Sequence, residues 1–219
     1  PGGASNLTYL ICASGGEFIL RRPPFGSKAV SAHDMGREYR VMNRLRHVYP
    51  YCPEPLAFCD DLSVLGEPFY LMRRLEGVIL RRDLPPGMSL SEKQAETLCR
   101  RLIDTHLELH RIDFHSAGLA DLGRPDGYVR RQVEGWSGRY RAARTDDVPD
   151  NEAIMDWLIS HMPSETNRGA IIHNDFKFDN VVLRPSDLGI IGVLDWEMAT
   201  LGDPLMDLGC SLAYWIEAD

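Results

Sequence analysis

The sequence has no apolar run approaching the length of a bilayer span, and its opening, Pro1-Gly2-Gly3, lacks the basic and apolar segments of a secretory signal. It also lacks a basic excess. Lys and Arg number 24 against 32 Asp and Glu, a formal net charge of −8, which argues against nucleic acid as a partner because phosphate backbones are bound through clustered Lys and Arg. The five cysteines, Cys12, Cys52, Cys59, Cys99 and Cys210, are odd in number, scattered and without a C-x-x-C pair, so neither a disulfide framework nor a zinc site is suggested. Repeats, coiled-coil heptads and low-complexity tracts are missing too. What remains is 219 residues of 44% hydrophobic content, enough for one large or two small domains with a sizeable core. A cytoplasmic location without membrane attachment is the expectation.

The most informative segment is His173-Asn174-Asp175-Phe176-Lys177-Phe178-Asp179-Asn180, followed downstream by Asp195-Trp196-Glu197. Ile171-Ile172 reads as a short buried strand entering this loop, Val181-Val182-Leu183 as a strand leaving it, and Ile190 to Leu194 as a third strand that delivers Asp195. Acidic residues therefore gather at the open end of a hairpin. This order suits phosphoryl transfer: Asp175 takes a proton from a hydroxyl, while Asn180 and Asp195 hold Mg²⁺. Because a magnesium ion bridging phosphates keeps several waters, one carboxylate and one amide suffice as protein ligands.

The pattern H-x-D-x-x-x-x-N, then Asp195-Trp196-Glu197 and Gly202-Asp203-Pro204-Leu205-Met206-Asp207-Leu208, resembles the aminoglycoside phosphotransferase and choline kinase family. The resemblance implies a protein-kinase-like fold of class α+β, with a small β-rich lobe over residues 1–72, a hinge at 73–77 and a larger, mainly helical lobe over 78–219. It implies ATP and Mg²⁺ as cofactors and a small-molecule hydroxyl acceptor. Trp196 and Glu197 stand where protein kinases carry Phe and Gly, which favours a small-molecule kinase over a protein kinase. Relatives carry a strand before Gly2 and acceptor-binding helices beyond Asp219, so the second lobe is expected to be incomplete in this chain.

In the first lobe, Ser5 to Ala13 and Glu17 to Arg21 read as two strands joined at Ser14-Gly15-Gly16. By the resemblance, Gly2, Gly3 and Ser5 are the remnant of a glycine-rich loop over the ATP phosphates, glycine letting backbone N–H groups approach closely. Arg21 takes the place of the cation that holds the α and β phosphates, usually Lys, and Glu38 orients it from the following helix, whose apolar residues 41, 42 and 45 recur at helical spacing. Phe69 to Met72 is the last strand of the lobe. Aligned on Met72 as the residue closing the pocket, main-chain groups of Arg73 and Leu75 meet the adenine edge.

From Ser91 the pattern turns helical. Ser91 and Gln94 form a capping-box candidate, and Leu98, Leu102, Thr105 and Leu109 recur on one face. His106 and His110 share a face at i and i+4, a metal-ligand spacing, yet no H-E-x-x-H accompanies them and packing is the preferred reading. The resemblance implies that His173 and Asp207 steady the catalytic loop and that Lys177 neutralises charge on the moving phosphoryl group. Asp179 and Asp203 read as turn and helix-entry residues.

The segments Arg21-Arg22-Pro23-Pro24, His33 to Tyr39, Gly123 to Tyr128 and Leu194 to Pro204 are similar to a subgroup that includes kinase-like domains fused to acyl-CoA dehydrogenases, for which a hydroxyacyl-CoA acceptor is implied. Between Arg124 and Arg144 six Arg residues face two acids, Asp126 and Glu134, a local excess of +4. Such a stretch attracts an anionic acceptor and repels a cationic aminoglycoside. The alternatives are a nucleotide-binding pseudokinase, for which the Arg at position 21 is the sequence support, and an aminoglycoside O-phosphotransferase.

Overall fold

A computed structural model describes residues 6–24, 34–81, 83–164 and 169–215. Strands β1 (Leu7–Ala13) and β2 (Gly16–Arg22) form an antiparallel hairpin in which Ala13 faces Gly16, whose φ of 120° a side chain would resist. Helix α1 (Met35–Leu45) is capped by Asp34, whose carboxylate accepts the Arg37 N–H at 2.8 Å. Its buried face is Met35, Val41, Met42 and Leu45, and Glu38 is buried in the same stripe. A carboxylate on an apolar helix face requires a partner, and that partner defines the site below.

Strand β3 (Pro55–Cys59), the short helix α2 (Leu62–Leu65) and strand β4 (Phe69–Arg73) complete a four-stranded antiparallel sheet of order β1-β2-β4-β3. The chain then leaves the sheet and pairs with the second part of the molecule, Val78 and Leu183 exchanging two backbone hydrogen bonds of 2.8 Å. The close fit requires Gly77, where an added Cβ would lie 2.5 Å from the Leu183 carbonyl oxygen.

Helix α3 (Glu92–His110) starts with the expected capping box of Ser91 and Gln94 and buries Leu98, Leu102, Thr105 and Leu109. Helices α4 (Tyr128–Ala143) and α5 (Glu152–Ser160) follow and pack on each other. Strand β5 (Ala170–Ile172) enters the loop 173–180, β6 (Val181–Leu183) and β7 (Ile190–Val193) form the hairpin after it, and β8 (Thr200–Gly202) leads into α6 (Pro204–Leu212). One expectation needs correction. The three strands around the loop do not make one hairpin, because β5 pairs with β8, leaving β6 and β7 as a separate pair. The physical reason is that Asp195 to Ala199 turns the chain back on itself, so that Thr200 to Gly202 meets the edge of β5.

The principal core runs from α1 and β4 through α3 to β5, β6 and β7, with Trp196 fully buried in it, edge-on to Tyr49 and donating its indole N–H to Val193 O at 2.9 Å. No helix among the described residues is long and apolar enough to cross a membrane.

Candidate active site

Arg21 lies next to the last residue of β2 and is buried. Its guanidinium donates to Glu38 Oε1 at 2.8 Å, to Asp195 Oδ1 at 2.5 Å and to Glu197 Oε2 at 3.3 Å. Glu197 also accepts from the Asn6 amide at the start of the first hairpin. One cation thus faces three carboxylates. Burial disfavours the Arg21 charge, but Glu38 and Asp195 outweigh it and hold the guanidinium firmly protonated. Glu38 feels burial most, is pulled down by Arg21 and is pushed up again by Asp195 and Glu197, leaving its carboxyl raised to about 7. Such a cluster is short of positive charge.

The sequence supplied Glu197 only as a departure from the protein-kinase pattern, and Asn6 not at all; spatial proximity alone assigns both to the cluster. Met72 is buried in the core, and Arg73 donates its N–H to Glu54 O at 2.9 Å and its side chain to the Glu54 carboxylate, away from the cluster. Leu75 is half-buried against Gly192 of β7. Gly2, Gly3 and Ser5 lie outside the described residues.

The loop 173–180 is held from beneath by a single carboxylate. Asp207 on α6, fully buried, accepts four hydrogen bonds: His106 Nε2 at 2.8 Å, His110 Nε2 at 2.9 Å, the His173 N–H at 2.8 Å and the Asn174 N–H at 2.7 Å. An ionised carboxylate only accepts, so both imidazoles present Nε2–H to it. Burial alone would raise the Asp207 pKa, but these donors hold it far below the usual carboxylate range. His106, His110 and Asp207 are the cluster of metal-ligand type among the described residues. The Nε2 of each histidine is spent on Asp207 Oδ2, and His106 stacks on Phe176 of the loop with ring centroids 4.1 Å apart.

His173 is buried and its pKa is lowered by that burial. Its Nε2 donates to Leu194 O at 3.0 Å and its Nδ1 accepts the Asp175 N–H at 3.3 Å, the pattern of a neutral ring. The loop turns at Asn174, with φ of 66°, and Asp195 sits in the same left-handed region at 71°. Asn tolerates that region by local hydrogen bonding; at Asp195 the surrounding core imposes it. Asp203 caps α6, accepting from the Leu205 and Met206 N–H groups, and Asp179 lies in a 3₁₀ turn.

Asp175 carries the side chain that faces the open edge. Its Oδ2 accepts the Asn180 amide at 2.8 Å, and Asn180 also donates to the Asp175 backbone carbonyl at 2.9 Å. Its Oδ1 meets Lys177 Nζ at 2.8 Å and the Tyr214 hydroxyl at 2.8 Å. Burial disfavours the Lys177 charge, but the bond to Asp175 outweighs it and raises its pKa. The Lys177 ammonium also lies 4.3 Å from the centre of the Tyr214 ring. Tyr214 was not foreseen, for nothing in its sequence neighbourhood distinguishes it from a packing residue.

With its amide nitrogen spent on Asp175, Asn180 presents its carbonyl oxygen as the remaining ligand atom, and Asp195 has one carboxylate oxygen beyond the Arg21 bond. Hard oxygens near surplus negative charge fit Mg²⁺. The nitrogen Arg21 Nε is buried without a partner among the described residues, a donor left for an incoming oxygen.

The arginine-rich stretch forms α4. Arg131 donates to the carbonyls of Arg124 and Asp126, Arg130 pairs with Glu134 at 3.4 Å, Arg139 lies over Trp136 and Arg141 pairs with Glu152. Much of the local excess of positive charge is therefore engaged locally. The helix nevertheless reaches the loop 173–180, since Tyr128 donates its hydroxyl to Asn174 Oδ1 at 3.2 Å.

The profile described as the phosphotransferase enzyme family matches residues 1–219. Acyl-CoA dehydrogenase family member 11 of Gallus gallus is 37% identical over 213 residues, covering 97% of this chain and 27% of that protein. Among solved structures, a candidate aminoglycoside phosphotransferase of Ralstonia eutropha is 32% identical with a TM-score of 0.85, covering 99% of this chain and 64% of that one. A thermostable mutant of aminoglycoside phosphotransferase APH(4)-Ia, in ternary complex with ADP and hygromycin B, shares the fold with a TM-score of 0.70 at 19% identity, covering 98% of this chain and 70% of that one. The chain spans about a quarter of the length of the curated relative and about two thirds of the Ralstonia chain.

Proposed function

The chain belongs to the phosphotransferase enzyme family and has its two-lobed, protein-kinase-like α+β fold, and from that premise we propose that it transfers the γ-phosphoryl group of ATP to a hydroxyl of a small-molecule acceptor. The observation that carries the reading is the convergence of Arg21, Glu38 and Asp195, joined to the Asp175–Asn180 pair where Leu194 N–H donates to Asn180 O at 2.8 Å. Asp175 Oδ1, now shared by Lys177 and Tyr214, accepts the acceptor hydroxyl in their place and takes its proton. Lys177, already beside that oxygen, offsets negative charge as the phosphoryl group moves. Arg21, oriented by Glu38, binds the α and β phosphates, as the cation of this position does in kinases. Asn180 and Asp195 would hold Mg²⁺, which when bound would offset phosphate charge.

The hinge is residues 73–77, between a nucleotide-binding part over 1–72 and a catalytic part over 78–219. Leu75 and the carbonyl of Arg73, whose N–H is engaged by Glu54, offer main-chain groups to the adenine edge, and Met72 closes the pocket behind it. An anionic acceptor, such as a hydroxyacyl-CoA or hydroxy acid, is favoured by the arginines of α4 and by the likeness to an acyl-CoA dehydrogenase family member. Assaying ADP release with Mg²⁺-ATP across a panel of hydroxy acids, hydroxyacyl thioesters and aminoglycosides tests both levels. Turnover with none of them, in a protein that still binds nucleotide, favours the second reading, a pseudokinase. One observation speaks for it: Arg21 is bonded directly to the carboxylate that Mg²⁺ requires.

A further inference from the structure

Arg37 follows none of the roles assigned above, although it adjoins Glu38 on α1. Its side chain leaves the helix and donates to three backbone carbonyls on the other side of the cleft: Glu197 O at 3.1 Å, Ala199 O at 2.5 Å and Leu122 O at 3.4 Å. Two of these belong to the turn that follows Asp195, and the third belongs to the loop packed on it, where Leu122 O also accepts the Thr200 hydroxyl at 3.3 Å. The carbonyls are neutral, so a half-buried guanidinium is held there by hydrogen bonding more than by charge. Its pKa is lowered by burial, with Arg40 nearby lowering it further and the carboxylate of Asp34 opposing. A five-donor fork is the side chain able to join three acceptors at once.

The consequence is geometric. Consecutive residues of one helical turn reach opposite ends of the same unit, Glu38 to Arg21 and Arg37 to the turn after Asp195. In kinases the corresponding helix is the element whose position switches activity. Here Arg37 ties it to the Asp195–Ala199 turn through hydrogen bonds within the chain.

We propose that Arg37 is a positioning residue that fixes α1 to the Asp195–Ala199 turn, so that Arg21, Glu38 and Asp195 are assembled before nucleotide arrives and α1 has no disengaged position. The proposal rests on the reading of Asp195 as a metal ligand, and the experiment separates the two. Arg37→Ala and Arg37→Lys are compared with the unaltered chain by hydrogen exchange without nucleotide, and by ADP binding with Mg²⁺ and with EDTA. Arg37→Ala is expected to speed exchange in α1 and in 195–200 selectively. It should lower the Mg²⁺-dependent part of ADP affinity about tenfold, the equivalent of one charged hydrogen bond, and leave binding in EDTA unchanged. Lys, with one ammonium for three carbonyls, should recover part of the loss. Unchanged exchange in both segments, or a uniform rise across the whole chain, overturns the proposal. If the unaltered chain shows no Mg²⁺-dependent gain, the metal reading fails, and the exchange result alone decides the role of Arg37. Should Arg37→Ala not fold, the same comparison is read from Arg37→Lys.

Discussion

Replacing Asp207 by alanine removes one buried carboxylate and leaves four donors facing it: two imidazole N–H groups and the backbone N–H groups of His173 and Asn174. The donors of His106 and His173 cannot turn to water, because Asp207, His173 and His106 are each at most 1% exposed, whereas His110 and Asn174 are half-buried. Each stranded donor costs about 1–3 kcal/mol, and relaxation or an admitted water lowers the sum, so a loss of about 3–5 kcal/mol is expected, the range for breaking a buried charged pair. Against the ~5–15 kcal/mol of a typical domain that is a large fraction. Asp207→Asn keeps the shape but presents an NH₂ to one set of donors, and should fall between alanine and the unaltered chain. Urea unfolding measures both. The pH dependence supplies an independent check. The folded pKa of Asp207 lies below its unfolded value, so its contribution is complete above that value and is lost as pH falls. The deficit of Asp207→Ala should be constant from pH 5 upward and shrink below about pH 4. A deficit under about 1 kcal/mol at pH 7, or one that grows on acidification, would refute the account of Asp207 as the hub of the loop.

Other substitutions probe the chemistry. Asp175→Asn should lose about 10²–10⁴-fold in turnover yet bind nucleotide normally, whereas Asp195→Ala should lose Mg²⁺-dependent nucleotide affinity; full turnover in Asp175→Asn rules out its role as base. Glu38 is raised to about 7 in the folded chain, so it contributes stability that is full below about pH 4.5 and is lost as pH rises through 7. Glu38→Gln should remove that slope, and an identical slope in both proteins, followed by thermal melts from pH 4.5 to 8, would contradict the crowding of carboxylates around Arg21. Arg130→Ala, which breaks only an exposed pair with Glu134, should raise KM for an anionic acceptor and leave KM for ATP unchanged. Efficient phosphorylation of a kanamycin-like cation, indifferent to Arg130, would exclude the anionic-acceptor reading.

The sequence by itself determined the local pieces. The capping box at Ser91 and Gln94, the apolar stripe through Val41, Met42 and Leu45, and the strand-loop-strand around Asp175 are each specified within a dozen residues, where propensity and periodicity act directly. Motif order along the chain was enough to imply a two-lobed fold. Elements with weak local signals were not legible. Strand β3 begins with Pro55 and has three exposed residues in succession, so no alternation marks it. Helices α4 and α5 start from residues in the left-handed region, with no side-chain cap, and α4 contains Gly135 and Gly138, so the stretch reads as charge rather than helix. Tertiary structure alone decided what meets across the chain. Asp207 reaches His106 over 101 residues, Arg21 reaches Asp195 over 174, and β5 takes β8 as its partner. These contacts depend on how the core closes around Trp196 and on which buried polar group remains in need of a partner, and neither quantity is written in the neighbours of any one residue.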